Sequence, residues 1–280
     1  MAVGIIDFSA TDAPLTLTRS LRETGFAVLH GDVLPKDLVR DACDAWLTFF
    51  KTGNHQAFRF DSKKQDGYFP FGIESAKGNP NKDLKEFFHF YRWGRCPAEL
   101  REVTQALYDA STSLAVTLLH WVNDYTPDEV AARFSMPLPE MITDSDDTLL
   151  RILHYPPQET KPAPGSIRAG AHEDINLITV LPASAESGLE AMGTDGHWVP
   201  IPGGMNAIVI NTGDMLQMAS GGFYPSTTHR VVNPSPDACM RSRVSAPLFL
   251  HPRGDVVLKP GVTAGEYLEE RLYEIGVIGP

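Results

Sequence analysis

Cysteine is scarce in this chain: Cys43, Cys96 and Cys239 are the only three in 280 residues, an odd number spread along the whole length. Such a set makes no disulfide framework and reads as reduced core or surface residues. Long apolar runs are lacking as well, because polar residues interrupt each one well before the roughly 18 residues needed to cross a bilayer. The N-terminus has no basic segment followed by an apolar run and a cleavage site, since Met1 to Phe8 leads straight to Asp12 and Pro14. A cytoplasmic protein with no membrane partner is the expectation. Positive charge is also in short supply: 24 Lys and Arg stand against 35 Asp and Glu, for a formal charge of -11. Nowhere do Lys and Arg concentrate enough to neutralise a phosphate backbone, which argues against a nucleic-acid partner. Internal repeats and low-complexity segments are missing too.

What is present is a chain 42% hydrophobic and 21% charged, long enough to bury a substantial core in one domain spanning 1–280. Its character changes near residue 145. Residues 1–144 read as mainly helical: Thr11 or Asp12 with Pro14 starts a helix, Pro35 to Phe50 has helical spacing, and Pro97 opens a third. In that third helix Leu100, Val103, Leu107, Ala110, Leu114 and Leu118 form one apolar stripe. Residues 145–262 are short β-prone segments: Leu149 to Tyr155, Ile175 to Leu181, Ala207 to Asn211, Thr228 to Val232 and Val244 to His251. Gly193 to Gly196 reads as a hairpin turn. A C-terminal helix, Ala264 to Ile275, follows within 263–280. The fold class expected is mainly β with flanking helices, an α+β arrangement around a double-sheet jelly roll.

Ala171-His172-Glu173-Asp174 places two potential metal ligands at i and i+2, which on a strand leave the same face, with Glu173 directed away. Alone, a His-x-Asp is a polar pair on a solvated strand. His229, fifty-five positions after Asp174 at the head of a β-branched run, supplies a third ligand. Two imidazoles and a carboxylate make a facial triad that suits ferrous iron and leaves coordination positions open. Arg243 and Ser245 repeat the i, i+2 pattern in an otherwise apolar strand. A buried guanidinium requires an anion, and its fork matches a carboxylate.

With these residues in hand, the chain resembles the isopenicillin N synthase-like 2-oxoglutarate- and iron(II)-dependent dioxygenases. The resemblance rests on His172-x-Asp174, His229 and Arg243-x-Ser245. Supporting stretches are Leu153-His154-Tyr155-Pro156-Pro157, Asn211-Thr212-Gly213-Asp214 and Ser226-Thr227-Thr228-His229-Arg230-Val231. It implies a distorted double-stranded β-helix core, Fe(II) on His172, Asp174 and His229, and dioxygen with 2-oxoglutarate as co-substrates. Arg243 and Ser245 would hold the distal carboxylate of 2-oxoglutarate, and Tyr155 would touch it. The activity implied is oxidation of an unactivated C–H bond of a small-molecule substrate, by hydroxylation, desaturation or cyclisation.

Other readings stay open at this level. An oxidase of the same family would keep the iron triad without 2-oxoglutarate, with Arg243 gripping a substrate carboxylate. A zinc hydrolase could use the same three ligands, and a metal-free β binding module would make their spacing coincidental. Of nine histidines, the seven outside the triad read as surface or packing residues, with His154 and His251 close enough to the site to contact substrate. Asn211 and Gln217 are candidate supports, and Asp214 belongs to a turn. The aromatic group Phe69, Phe71, Phe87, Phe88, Phe90, Tyr91 and Trp93 is expected at the junction of helices and sheet, and Lys77 to Lys82 in an exposed loop.

Overall fold

Proline is tolerated in the first turn of a helix, where its missing N–H has no partner to lose. The three long helices of the first half follow that rule or start just after a proline: α1 (Ala13–Thr24), α2 (Lys36–Thr52) and α3 (Ala98–Tyr125). Asp12 occupies the N-cap of α1 without capping it through its side chain. The structure, a computed structural model, describes residues 2–75, 81–159, 162–183, 188–204, 206–235 and 237–274.

The first half of the chain also contributes strands: β1 (Gly4–Asp7), β2 (Phe26–His30), β3 (Gly67–Phe69) and β4 (Glu86–Phe90). The helical signals masked them, because β2 and β4 are almost wholly buried and lack the polar alternation that marks a half-exposed strand. The second half supplies β5 (Leu149–Tyr155), β6 (Ala169–His172), β7 (Ile178–Pro182), β8 (Leu189–Met192) and β9 (Trp198–Pro200). It continues with β10 (Ile208–Thr212), β11 (His229–Val231), β12 (Arg243–Ser245) and β13 (Leu248–Leu250). The expected Val244 to His251 strand is therefore two strands. Pro247, which has no N–H to donate, stands between them. Short helices α4 (Asp128–Ala131), α5 (Leu138–Met141) and α6 (Asp214–Ala219), a hairpin β14 (Val257–Lys259) and β15 (Val262–Thr263), and α7 (Ala264–Glu274) complete the described elements.

The large sheet runs β1-β2-β10-β7-β13-β5-β4-β3, with β12 also on β5, and the small one runs β6-β11-β8-β9. Gly193 to Gly196 does connect β8 to its antiparallel neighbour β9, with Gly196 at φ +77. Two facing sheets with helices on one outer side are the jelly roll expected of the chain. Strand register then assigns every side chain of the large sheet to one of two faces. Ile152, Val180, Ile210, Leu248 and Phe88 point outward and join Leu17, Leu21, Trp46, Leu107, Leu114 and Leu118 of the helices in the main core. Each such buried side chain contributes about 1.5–3 kcal/mol. The Trp46 indole donates to Thr104 Oγ1 at 2.9 Å, so even the polar atom of that core is satisfied.

Between the sheets the apolar packing is split. One cluster holds Phe26, Val28, Ala191 and Val209, another Phe69, Phe87, Leu153, Tyr155, Ala169 and Val231. The aromatic group is thus divided: Phe88 and Phe90 pack on the helices, Phe69 and Phe87 lie between the sheets, and Phe71 and Trp93 are exposed. Lys77 to Pro80 lie outside the described residues, as does Ile275.

A candidate metal centre and its cavity

His172 closes β6 and His229 opens β11, and the antiparallel register pairs them directly. Their rings are 4.4 Å apart. Asp174 comes two residues beyond His172 but past the end of β6, so strand alternation alone does not aim it. Its position is set instead by hydrogen bonds to Oδ2, one from Thr179 Oγ1 at 2.6 Å and one from Asn211 Nδ2 at 2.7 Å. Thr179 and Asn211 face each other across β7 and β10 on the inner face of the large sheet. Thr179 in turn receives a hydrogen bond from Asn176 Nδ2 at 3.0 Å. With Oδ2 engaged, Oδ1 is left 3.9 Å from His172 Nε2 and 3.7 Å from His229 Nε2.

The imidazoles are oriented the same way. His172 Nδ1 lies 2.7 Å from Gly170 O and His229 Nδ1 3.0 Å from Thr227 O. A carbonyl only accepts, so each Nδ1 carries the proton and each Nε2 presents a lone pair. Phe26 packs edge-on against His229 at 5.5 Å. Gly25, at φ +71, lets the chain pass: a Cβ there would meet Pro225 O at 2.6 Å, beside the segment that leads into His229. Loss of hydration and the neighbouring His229 ring push His172 down to about 4, so it is a neutral imidazole at pH 7. Burial opposes ionisation of Asp174, but the two imidazoles and the donors Thr179 and Asn211 outweigh it and hold the carboxyl below its usual range. The donor atoms of the three residues lie within 4.8 Å of one another. Two imidazole lone pairs and one carboxylate oxygen, each with its other polar atom fixed by a hydrogen bond, fit a ferrous ion.

Arg243, Ser245 and Tyr155 share the inner face of the large sheet, with Arg243 opposite Tyr155 in the β12–β5 register and Ser245 opposite Leu153. All are buried, Arg243 at 8% exposure and Tyr155 at 3%. The guanidinium lies 5.6 Å from the Tyr155 ring centre, and Arg168, wholly buried, lies 5.3 Å from the same ring. A Cβ on Gly188 would meet both Arg243 Nη1 and Val231, the residue two along from His229 on β11. A guanidinium, a hydroxyl and a phenol so placed are the donors a carboxylate needs.

On another side the triad opens to a cavity of about 400 Å³ that His172, Glu173 and Asp174 line. Its walls include Lys85, His89, Arg151, Phe249, His251 and, from α7, Leu268. Arg243, Ser245 and Tyr155 are not part of that lining. Lys85 and Arg151 escaped the sequence reading, although both are charged residues in apolar strand segments, at the same parity as Phe87 and Leu153. Lys85 Nζ lies 2.9 Å from both Glu74 and Asp83, and Arg151 Nη1 3.5 Å from Glu74. Burial disfavours the Lys85 ammonium, but these carboxylates prevail and raise its pKa.

Several expectations change. Glu173 accepts a hydrogen bond from Thr228 and lines the cavity, so it is not turned away from the site. His154 sits on the outer face of β5, bonded to Glu86 and stacked on Phe50, and cannot reach substrate. His89 is one of the packing histidines, buried in the cavity wall, donating to Gln65 O and accepting from Arg151 Nε at 2.8 Å. Asp214 begins α6 and accepts from Tyr267 of α7 at 2.7 Å, tying that helix to the site. Gln217 supports the chain before His229 by accepting from Ser226 N. Among the described residues the three cysteines are free, and no helix is long and apolar enough to cross a membrane.

Comparison with known proteins agrees with this geometry. Residues 146–252 match the family described as the 2OG-Fe(II) oxygenase superfamily. The chain is 48% identical to a protein from Shewanella oneidensis assigned as an oxygenase, whose solved structure superposes with a TM-score of 0.89 over 99% of this chain and 100% of that one. A 2OG-Fe(II) oxygenase family protein from Caulobacter crescentus is 31% identical, with a TM-score of 0.82 and 98% and 99% coverage. Gibberellin 2-beta-dioxygenase 1 of Arabidopsis thaliana is 26% identical over 97% of this chain and 84% of its own.

Proposed function

Because the chain belongs to the 2OG-Fe(II) oxygenases, and is thus an iron(II)- and 2-oxoglutarate-dependent oxidoreductase, we propose that it oxidises an unactivated C–H bond of a small molecule held in the cavity beside His172, Asp174 and His229. In this reading His172 Nε2, Asp174 Oδ1 and His229 Nε2 hold the iron. The observation that carries it is the fixing of all three donors from behind: Gly170 O and Thr227 O on the imidazoles, Thr179 and Asn211 on the carboxylate. Side chains with only structural duties have no need for three such restraints converging on one point.

Arg243 and Ser245 receive the distal carboxylate of 2-oxoglutarate, with Tyr155 against it. Bound at this centre, ferrous iron and 2-oxoglutarate supply the oxidising power, dioxygen being reduced as the keto acid leaves as succinate and carbon dioxide. The protein's own part is placement. Phe26 and the Phe69–Tyr155 cluster keep the interior between the sheets dry, and the cavity wall holds the substrate against the triad. A volume of about 400 Å³ suits a small molecule. That the curated relatives are named for small molecules such as gibberellin and homoarginine supports the same class.

The test is anaerobic metal titration followed by turnover of labelled 2-oxoglutarate. The wild type should bind one equivalent of Fe(II) and release labelled succinate, and His172→Ala should do neither. Tight iron binding by His172→Ala, or zinc-dependent hydrolysis with no succinate formed, would overturn the assignment.

A further inference from the structure

The cavity wall contains two polar groups whose hydrogen-bonding capacity the fold leaves unused. His251 follows β13 and is 7% exposed. Its Nδ1 donates to Phe249 O at 3.1 Å, which leaves Nε2 as a lone-pair acceptor, and no described residue bonds to that nitrogen. His251 lines the cavity, so this acceptor is available to a ligand that supplies a donor.

Arg151, on β5, lines the same cavity, and both residues lie against Phe249. The guanidinium lies 4.7 Å from the Phe87 ring and 5.5 Å from the Phe249 ring, which hold its plane. Nε donates to His89 Nε2 and Nη1 faces Glu74, whereas Nη2 donates to no described residue. The Arg151 side chain is 21% exposed and lines the cavity. Charge does not call for an anion here: Lys85 and Arg151 are matched by Glu74 and Asp83 within the same network. What the network leaves over is one neutral acceptor and one pair of N–H donors, in a cavity whose lining also includes apolar residues such as Leu149 and Leu268 and charged ones such as Asp147 and Arg271.

We infer that His251 and Arg151 are a substrate-recognition pair of this oxygenase, and that the substrate is a small molecule carrying an N–H or O–H donor for His251 and a carbonyl acceptor for Arg151. The inference rests on the reading of the cavity as the substrate site. Amides and lactams have this chemistry; an ammonium would offer Arg151 no acceptor, and a carboxylate would offer His251 no donor.

Four bicyclic probes of similar size test it: 3,4-dihydro-2-quinolinone, its N-methyl derivative, tetralin-2-carboxylate and 2-aminotetralin. Binding is measured anaerobically by ligand-observed NMR on protein loaded with Fe(II) and 2-oxoglutarate. Wild type should prefer the N–H lactam over the N-methyl lactam by about tenfold, the value of one neutral hydrogen bond, and over both charged probes. His251→Phe should abolish the preference between the two lactams, and Arg151→Lys should weaken both about equally. A carboxylate or amine that binds more tightly than the lactam overturns the inference. So does an N–H preference that survives His251→Phe, or a wild type that binds no probe better than that variant does. Titration of 2-oxoglutarate into the iron-loaded proteins separates the two failures: if wild type does not bind it, the reading of the metal site fails; if wild type and His251→Phe both bind it, only the recognition pair is at stake.

Discussion

Replacing Asn211 by Leu removes one of the two donors to Asp174 Oδ2 while keeping side-chain volume in a buried position. A hydrogen bond to a charged group is worth about 1.5–3 kcal/mol. Loss of an outer-shell partner to a metal ligand generally costs about 10- to 100-fold in affinity, which is the same range. Asn211→Leu should therefore bind Fe(II), or Mn(II) as an air-stable substitute, about 10- to 100-fold more weakly by anaerobic calorimetry, with the fold intact by circular dichroism. The pH dependence should move in a known direction. Asp174 is held below the usual carboxylate range partly by this donor, so its removal raises the pKa, and protons compete with the metal at higher pH than in the wild type. Thr179→Val, which removes the 2.6 Å partner, should behave alike. An Asn211→Leu affinity within twofold of wild type, with an unshifted pH profile, would refute the claim that hydrogen bonding rather than strand geometry aims Asp174.

Arg243→Ala should raise the dissociation constant for 2-oxoglutarate by about 10- to 100-fold, the value of a charge-assisted contact, and leave Fe(II) affinity nearly unchanged; parallel titrations check it. Leu118→Ala, at a wholly buried position of α3, should cost about 2–5 kcal/mol in urea unfolding, with no effect on metal affinity. Burial pushes His251 down from 6.5 to about 4, so below pH 6.5 the unfolded chain takes up a proton that the folded one refuses. Stability from this group is full above pH 6.5 and is lost as pH falls toward 4. The His251→Phe variant should lose about 2 kcal/mol less than wild type between pH 7 and pH 5, read from urea midpoints at the two pH values.

The residues visible in advance were those whose spacing has a local meaning. Pro14 and Pro97 mark helix starts, the Leu100–Leu118 stripe marks a packed helix, and Leu149–Tyr155 reads directly as a strand. The candidate metal triad was legible because two of its members are two apart in sequence and the third heads a β-branched run. Of the four first-half strands that were missed, β2, β3 and β4 are nearly wholly buried, and residues buried on both faces leave no periodic trace, whereas β1 is only four residues long.

Sequence alone thus determined the four long helices, most of the second-half strands and which three side chains meet at the candidate metal centre, since each is written in a pattern of a few residues. Only the tertiary structure decided what surrounds them. Thr179 and Asn211 reach Asp174 because β7 and β10 are paired, and Lys85, His89 and Arg151 meet because β4 lies against β5. Those pairings join residues up to 68 positions apart, as with Glu86 and His154, and no local pattern records them: Lys85 and Arg151 share Glu74 through the fold alone. Contacts between distant segments are set by the register of whole strands, which depends on the burial of both sheets at once.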